Sequence, residues 1–94
     1  MHPLVESHRA QILALAARYG IENVRVFGSM ARDDADDDSD IDLLVSLRPG
    51  KSGLALGGLL MDVQDLVKRK VDVVTEGGLH PALRERVLRE ARPL

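Results

Sequence analysis

The sequence predicts an α/β domain in which helices pack against one small sheet. Three short segments have the apolar patterns of β-strands: NVRVF at 23–27, DIDLLVSL at 40–47 and VDVVT at 71–75. Segments with helical periodicity separate these strands, and no internal repeat or linker interrupts the 94 residues. A chain of this length has room for one hydrophobic core, so we expect a single domain over residues 1–94.

The elements are predicted in the order α-β-α-β-α-β-α. Pro3–Tyr19 has apolar residues at spacings of three and four, Pro3 suits a first helical turn, and Gly20 suits the end of the helix. The remaining predictions are a short helix at Ser29–Arg32, a polar loop at Asp33–Ser39, and amphipathic helices at Leu54–Lys68 and Pro81–Ala91.

A glycine pair, Gly57-Gly58, lies inside the predicted helix Leu54–Lys68. Two glycines cost a helix about 2 kcal/mol of intrinsic stability. The pair therefore predicts either close packing against a neighbouring element or a later start of this helix.

Composition excludes several classes of function. Hydrophobic residues make up 45% of the chain, as is typical of a globular protein. The net charge is −2 and the only aromatic residues are Tyr19 and Phe27, so there is no direct nucleic-acid signal and no stacking platform for single strands. The absence of cysteine excludes disulfides, thiolate metal sites and cysteine nucleophiles.

No segment of the sequence has the character of a membrane span or a signal peptide. No apolar run approaches the roughly 18 residues that a spanning helix requires. The first residues, MHPLVESHRAQ, are polar where a signal peptide is apolar. We therefore expect a cytoplasmic protein that does not associate with membranes.

Asp40 and Asp42 are the first candidate site residues. They are two positions apart on a predicted strand, so their side chains project from one face with backbones about 7 Å apart. Two such carboxylates can bridge a pair of divalent metal ions. The alternative is a strand with one ordinary solvent-facing side.

Asp72 interrupts the valines of the next predicted strand and is the natural third carboxylate. Alone it is better explained as a solvent-facing strand residue. If the two strands are neighbours, however, Asp72 lies near Asp40 and Asp42, and three close carboxylates repel one another unless a metal neutralises them.

Gly28-Ser29 follows a predicted strand and precedes a short helix. Glycine lets the backbone approach a phosphate closely, the free N–H groups bind its oxygens, and the serine hydroxyl adds a donor. Arg32 lies near the same turn as a candidate phosphate clamp. A Gly-Ser pair alone occurs in any turn, so its significance depends on the downstream Asp-x-Asp.

The aspartates between positions 33 and 38 do not form a calcium loop. An EF-hand loop requires Gly at its sixth position and Glu at its twelfth. A loop that starts at Asp34 has Ser39 and Val45 there, so we interpret this run mainly as a solvated spacer. The histidines are scattered: we expect His8 to pack on the first helix and His80 to cap the last one.

Together these residues resemble the DNA polymerase beta-like nucleotidyltransferase superfamily, and the short length resembles its minimal branch. The resemblance extends from about Val24 to Thr75. It rests on Gly28-Ser29, Arg32, the run Ser39–Val45 (SDIDLLV) and Val71–Val74 (VDVV).

The resemblance implies a mixed three-stranded sheet of the polymerase beta palm type, backed by helices. It implies that Asp40, Asp42 and Asp72 are catalytic and hold two Mg²⁺ ions. It also implies that Gly28, Ser29, Arg32 and Ser39 bind a nucleoside triphosphate, with ATP as the expected substrate. The reaction is attack of a hydroxyl on the α-phosphorus, with loss of pyrophosphate.

The minimal branch includes antitoxins that silence a HEPN-type ribonuclease toxin by transferring AMP to a tyrosine, which implies a toxin as partner and acceptor. Two other hypotheses remain open: a non-catalytic antitoxin that blocks the toxin through its last helix, and a nucleotide-binding subunit that needs a partner chain. Asp33 departs from the family pattern, because glycine commonly follows the residue that matches Arg32.

Overall fold

The computed structural model describes residues 1–94. It contains five α-helices and four strands in a single sheet. The helices are α1 Pro3–Ser7, α2 Arg9–Arg18, α3 Ser29–Arg32, α4 Leu54–Val67 and α5 Pro81–Glu90. The strands are β1 Ile21–Phe27, β2 Ile41–Leu47, β3 Val71–Thr75 and β4 Arg92–Pro93. No helix is both long enough and apolar enough to cross a membrane.

The sheet has the order β3-β2-β1-β4 and is mixed, as expected. β1 runs antiparallel to β2 and β4, whereas β2 and β3 are parallel. Helix α4 makes the crossover between the two parallel strands. The amino-terminal ends of β2 and β3 and the carboxyl-terminal end of β1 therefore meet at one edge of the sheet.

One face of the sheet carries the hydrophobic core. A cluster of 16 buried residues joins it to α1, α2, α3 and α4. Strand β2 contributes Ile41, Leu43 and Val45 to the cluster, as its alternation predicts. Leu44 and Val87 are also buried but lie outside the cluster. Since Leu44 alternates with the core residues, it belongs to the opposite face of the sheet.

Several features differ from prediction, and β1 begins at Ile21 rather than at Asn23. The helix predicted over Pro3–Tyr19 is divided at His8, whose ring nitrogen Nδ1 lies 2.8 Å from the carbonyl oxygen of Leu4. The apolar periodicity continues through this break, so the pattern does not reveal it. The fourth strand, β4, was not predicted because it has two residues and ends in Pro93.

A bulge in β1 determines which of its residues reach the core. Asn23 has a positive φ of 53°, and one extra residue is inserted into β1 between the partners of Ser46 and Leu44. As a result both Ile21 and Val24 are buried in the core, although they are three positions apart.

Helices α2 and α4 approach each other closely at Gly58, which confirms the packing predicted for the glycine pair. A Cβ atom on Gly58 would lie 2.5 Å from the ring of Tyr19, whereas one on Gly57 would meet nothing within 4 Å. The Tyr19 hydroxyl donates a hydrogen bond of 2.6 Å to Asp62 on α4. The same contact raises the pKa of Tyr19.

Two histidines cap helices. His80 Nδ1 accepts a hydrogen bond of 3.1 Å from the Ala82 N–H, which confirms the predicted cap of α5. His2 Nδ1 accepts one of 3.1 Å from the Leu4 N–H at the start of α1. Both histidines precede a proline at the first position of a helix.

Candidate functional site

The carboxylates of Asp42 and Asp72 lie side by side on neighbouring strands. In the parallel register of β2 and β3, Asp42 is the direct partner of Asp72. On its other side Asp42 pairs with Phe27, the last residue of β1. The sheet therefore places two carboxylates and the Gly28 turn in one row across three strands.

Gly28 allows the Asp42 carboxylate to lie against the backbone that follows β1. Its φ of +72° is one that residues with side chains rarely adopt. A Cβ atom at this position would overlap Asp42 Oδ2. A larger residue at position 28 would therefore strain the backbone and displace the carboxylate.

The electrostatic environment of Asp42 is unusual. Burial, followed by the charges of Asp72 and Asp40, raises the pKa of Asp42 from 3.8 to about 6. Arg32 and Lys70 oppose this increase without cancelling it. The site therefore has an excess of negative charge that a cation would relieve.

Asp40 lies just before β2 and faces a different partner. Its Oδ2 is 3.7 Å from Lys70 Nζ, and both side chains are well exposed. In the structure, no group of three acidic or histidine side chains is arranged to hold a metal ion. The donor chemistry nevertheless suits Mg²⁺, because carboxylate oxygens are its preferred ligands and their mutual repulsion is uncompensated.

The loop before β2 is held by its own hydrogen bonds. Ser39 Oγ accepts from the Asp36 N–H at 2.9 Å and donates to Asp36 Oδ1 at 3.1 Å. Arg69 Nη1 donates to the carbonyl oxygens of Asp36 and Ser39. The hydroxyl of Ser39 is thus engaged within the loop rather than turned toward Gly28.

Arg32 and Ser29 lie on α3, directly after Gly28. The Arg32 guanidinium donates to Asp34 at 3.1 Å and to Glu90 at 3.0 Å. Glu90 also accepts a hydrogen bond of 3.3 Å from the Gly28 N–H. No pattern in the sequence indicates Glu90, since 62 positions separate it from Gly28 and no local motif links them.

Asp33 occupies a backbone position that accounts for the glycine common in the family. It ends α3 with φ of 64°, in the left-handed region. Its carboxylate lies 2.7 Å from the α-amino group of Met1, and this contact lowers the pKa of Asp33. The charge of Asp33 is therefore partly neutralised near the Gly28-Ser29 turn.

The predicted site residues lie on an open surface. The only cavity in the structure is lined by four residues of α5 and by none of the predicted site residues; the four are Pro81, Arg84, Glu85 and Leu88. A ligand at the Asp42–Asp72 edge would thus bind on the face of the sheet rather than within an enclosed pocket.

Comparisons with known proteins agree with this architecture. The nucleotidyltransferase domain model matches residues 9–94. A protein of Methanocaldococcus jannaschii, provisionally named a protein adenylyltransferase, is 36% identical over 83 residues, covering 88% of this chain and 89% of its own. The protein adenylyltransferase MntA of Thermococcus cleftensis is 36% identical over 76 residues, covering 81% and 77%.

Solved structures have the same fold. One that is provisionally named a minimal nucleotidyltransferase is 47% identical, with a TM-score of 0.85, over 100% of this chain and 97% of its own. A toxin–antitoxin complex with AMP-PNP has a TM-score of 0.75 over 89% and 69%. At 20% identity, the second likeness concerns the fold alone. The family match and the identities show that the chain belongs to the nucleotidyltransferase domain family, within its minimal branch, and is a nucleotidyltransferase.

Proposed function

We propose that this nucleotidyltransferase transfers AMP from ATP to a hydroxyl of a partner protein. The observation that carries the proposal is the parallel register of β2 and β3, which pairs Asp42 with Asp72 beside Gly28. Burial, followed by the charges of Asp72 and Asp40, raises the pKa of Asp42 to about 6. A site of this kind is suited to divalent cations and the phosphates that accompany them.

Asp40, Asp42 and Asp72 would hold two Mg²⁺ ions, with Asp40 leaving its exposed pairing with Lys70. When bound, these ions neutralise the charge that develops on the phosphoryl oxygens. Asp72 is exposed at the edge of the sheet, where an acceptor hydroxyl can reach it, and would take up the hydroxyl proton. The acceptor oxygen forms a bond to the α-phosphorus as the bond to the pyrophosphate oxygen breaks.

The triphosphate would bind at Gly28, Ser29 and Arg32. Gly28 brings the backbone close to Asp42, so a phosphate bound at this turn lies beside the carboxylates. Arg32 supplies a guanidinium with planar paired donors. Ser39 would contribute only after its hydroxyl leaves Asp36.

The proposed acceptor is a tyrosine of a HEPN-type toxin, so that the chain acts as an antitoxin. Two kinds of similarity support this step. Relatives at 36% identity are named protein adenylyltransferases, and a structure with the same fold is a toxin–antitoxin complex with AMP-PNP. The carboxylates lie on an open surface, which suits a macromolecular acceptor better than a small molecule that binds in an enclosed pocket.

A second candidate is a non-catalytic antitoxin that blocks its toxin by binding alone. Exposed apolar side chains favour it: Leu83 and Leu88 on α5 are 50% and 38% exposed, and Met61 on α4 is 57% exposed. On this hypothesis neutralisation of the toxin does not depend on the carboxylates. A nucleotide-binding subunit completed by a partner chain is the remaining alternative.

One experiment separates these functions. Wild type, Asp40→Ala/Asp42→Ala and the control Asp65→Ala, which changes an exposed carboxylate on α4, are incubated with α-labelled ATP, Mg²⁺ and the candidate toxin. We expect wild type and control to label the toxin and abolish its ribonuclease activity, while the double variant does neither. If the double variant neutralises the toxin fully and wild type transfers no label, the enzymatic proposal is wrong.

A further inference from the structure

The carboxylate of Glu90 lies at the Gly28-Ser29 turn, where the triphosphate is proposed to bind. Its Oε2 accepts from the Gly28 N–H at 3.3 Å. Its Oε1 lies 3.0 Å from Arg32 Nη1 and 3.2 Å from Arg86 Nε, so two guanidinium groups converge on one oxygen. The Glu90 side chain is only 16% exposed, although it is the last residue of α5. These contacts with Arg32, Arg86 and Gly28 lower the pKa of Glu90 against the effect of its burial.

The donors around Glu90 are those that recognise a phosphate oxygen. Two guanidinium groups and a backbone N–H supply charged and neutral donors to an anion within a small volume. A carboxylate and a phosphate group present similar oxygens to such donors. Because Gly28 and Arg32 are also the residues proposed to bind the triphosphate, Glu90 and the nucleotide cannot both hold them.

We propose that Glu90 is an internal competitor of the nucleotide, and that Arg86 is an additional phosphate-binding residue. This inference rests on the proposed function. A phosphate of ATP takes the place of the Glu90 carboxylate and is held by Arg32, Arg86 and the Gly28 N–H. Because Glu90 occupies these groups in the free protein, the protein binds the nucleotide more weakly than it would with the groups unoccupied.

The surroundings of Glu90 are consistent with exchange of the carboxylate for a phosphate. The side chains of Arg86 and Arg32 are 65% and 38% exposed, so both can follow an incoming phosphate without unpacking the core. A triphosphate carries more negative charge than one carboxylate and competes well for the same cations.

The test measures the dissociation constant of ATP with Mg²⁺ by titration calorimetry, with inorganic triphosphate as a second probe. Glu90→Gln keeps the shape of the side chain and removes its charge. We expect it to lower the dissociation constant of both probes by threefold to tenfold. If Glu90 instead orients Arg32 for the nucleotide, this substitution weakens or does not change binding, and the competitor proposal is overturned.

Arg86 is tested in the Glu90→Gln background, where its ion pair with residue 90 is absent. Adding Arg86→Gln should raise the dissociation constant at least threefold. Arg89→Gln is the matched control on the same helix, because Arg89 is exposed and forms no ion pair in the structure. Equal constants for the two double variants would refute the role of Arg86.

The proposed function is judged separately, by label transfer to the toxin. Tighter ATP binding by Glu90→Gln without transfer by any variant supports the competitor and refutes the transferase activity on that acceptor. Transfer by wild type with unchanged affinity in Glu90→Gln refutes the competitor alone. If no variant binds ATP or inorganic triphosphate at millimolar concentration, both proposals fail.

Discussion

The two faces of the sheet use the same strands for opposite purposes. On one face, Leu43 and its neighbours are buried in a cluster that includes no charged residue. On the other, Asp42 and Asp72 lie next to each other on neighbouring parallel strands. Adjacent residues of β2 therefore have different physical roles: Leu43 stabilises the fold, whereas Asp42 opposes it at neutral pH.

The two faces differ in whether burial of apolar side chains accounts for their residues. Burial of apolar groups explains the whole of the core face. Burial of apolar groups does not explain why Asp42 lies beside Asp72, because this arrangement raises the pKa of Asp42 and costs stability in the free protein. A ligand that relieves the repulsion is the simplest reason for the arrangement to persist.

Substitution of adjacent residues on β2 gives the sharpest contrast. Leu43→Ala should lower the free energy of unfolding by about 2–5 kcal/mol, since it creates a cavity at a fully buried position. Asp42→Asn should keep or raise stability at pH 7.5 but reduce label transfer by at least about 10²-fold. Urea denaturation in EDTA and transfer to the toxin measure the two effects. A stability loss in Asp42→Asn as large as that in Leu43→Ala would contradict the division of roles.

The glycine pair of α4 tests how tightly the core face is packed. Gly58→Ala introduces a Cβ atom 2.5 Å from the Tyr19 ring, so it should destabilise the protein by about 1–3 kcal/mol. Gly57→Ala is the matched control, because open space surrounds that position and alanine favours a helix by up to about 1 kcal/mol. Thermal melts of both variants are the measurement. Equal melting temperatures would show that the α2–α4 contact is looser than the structure indicates.

The pH dependence of stability tests the carboxylate face. The pKa of Asp42 is about 6 in the folded protein and 3.8 ordinarily, so the folded state binds this proton more tightly. The contribution of Asp42 to stability is complete below pH 4 and is lost as pH rises through 6. Because the side chain is partly exposed, we expect a loss of about 1 kcal/mol.

Denaturation of the metal-free protein between pH 4 and 7.5 measures this loss. In Asp42→Asn the decline between pH 4 and 7 should be reduced, whereas the control Asp65→Asn should behave like wild type. If stability changes with pH to the same extent in wild type and in Asp42→Asn, Asp42 is not the group responsible.

Local patterns in the sequence predicted most of the fold. Ile41, Leu43 and Val45 identify the buried face of β2, and the valines of β3 identify its neighbour, because alternation is a local property. The same patterns predicted that Asp72 would lie beside Asp42, once the two strands were taken as adjacent. The parallel register of these strands confirms this adjacency.

Features that leave no pattern in the local sequence were not predicted. The break at His8 leaves the apolar period unchanged, and β4 is too short to have a strand signature. Glu90 shares no motif with Gly28, and their contact requires that α5 end beside the Gly28-Ser29 turn. The metal-binding and nucleotide-binding roles of the aspartates and of Gly28 remain predictions.

The bulge at Asn23 gives β1 two alternation frames within seven residues. Residues before it follow one frame and residues after it follow the other, so a single strand supplies Ile21 and Val26 to the interior while keeping Arg25 out of it. Removal of Asn23 would bring Ile21 and Val24 to a spacing of two, so a regular strand without the bulge would keep Ile21, Val24 and Val26 inward. In a deep substitution scan of β1, tolerance should therefore alternate with a period of two and reverse phase at position 23.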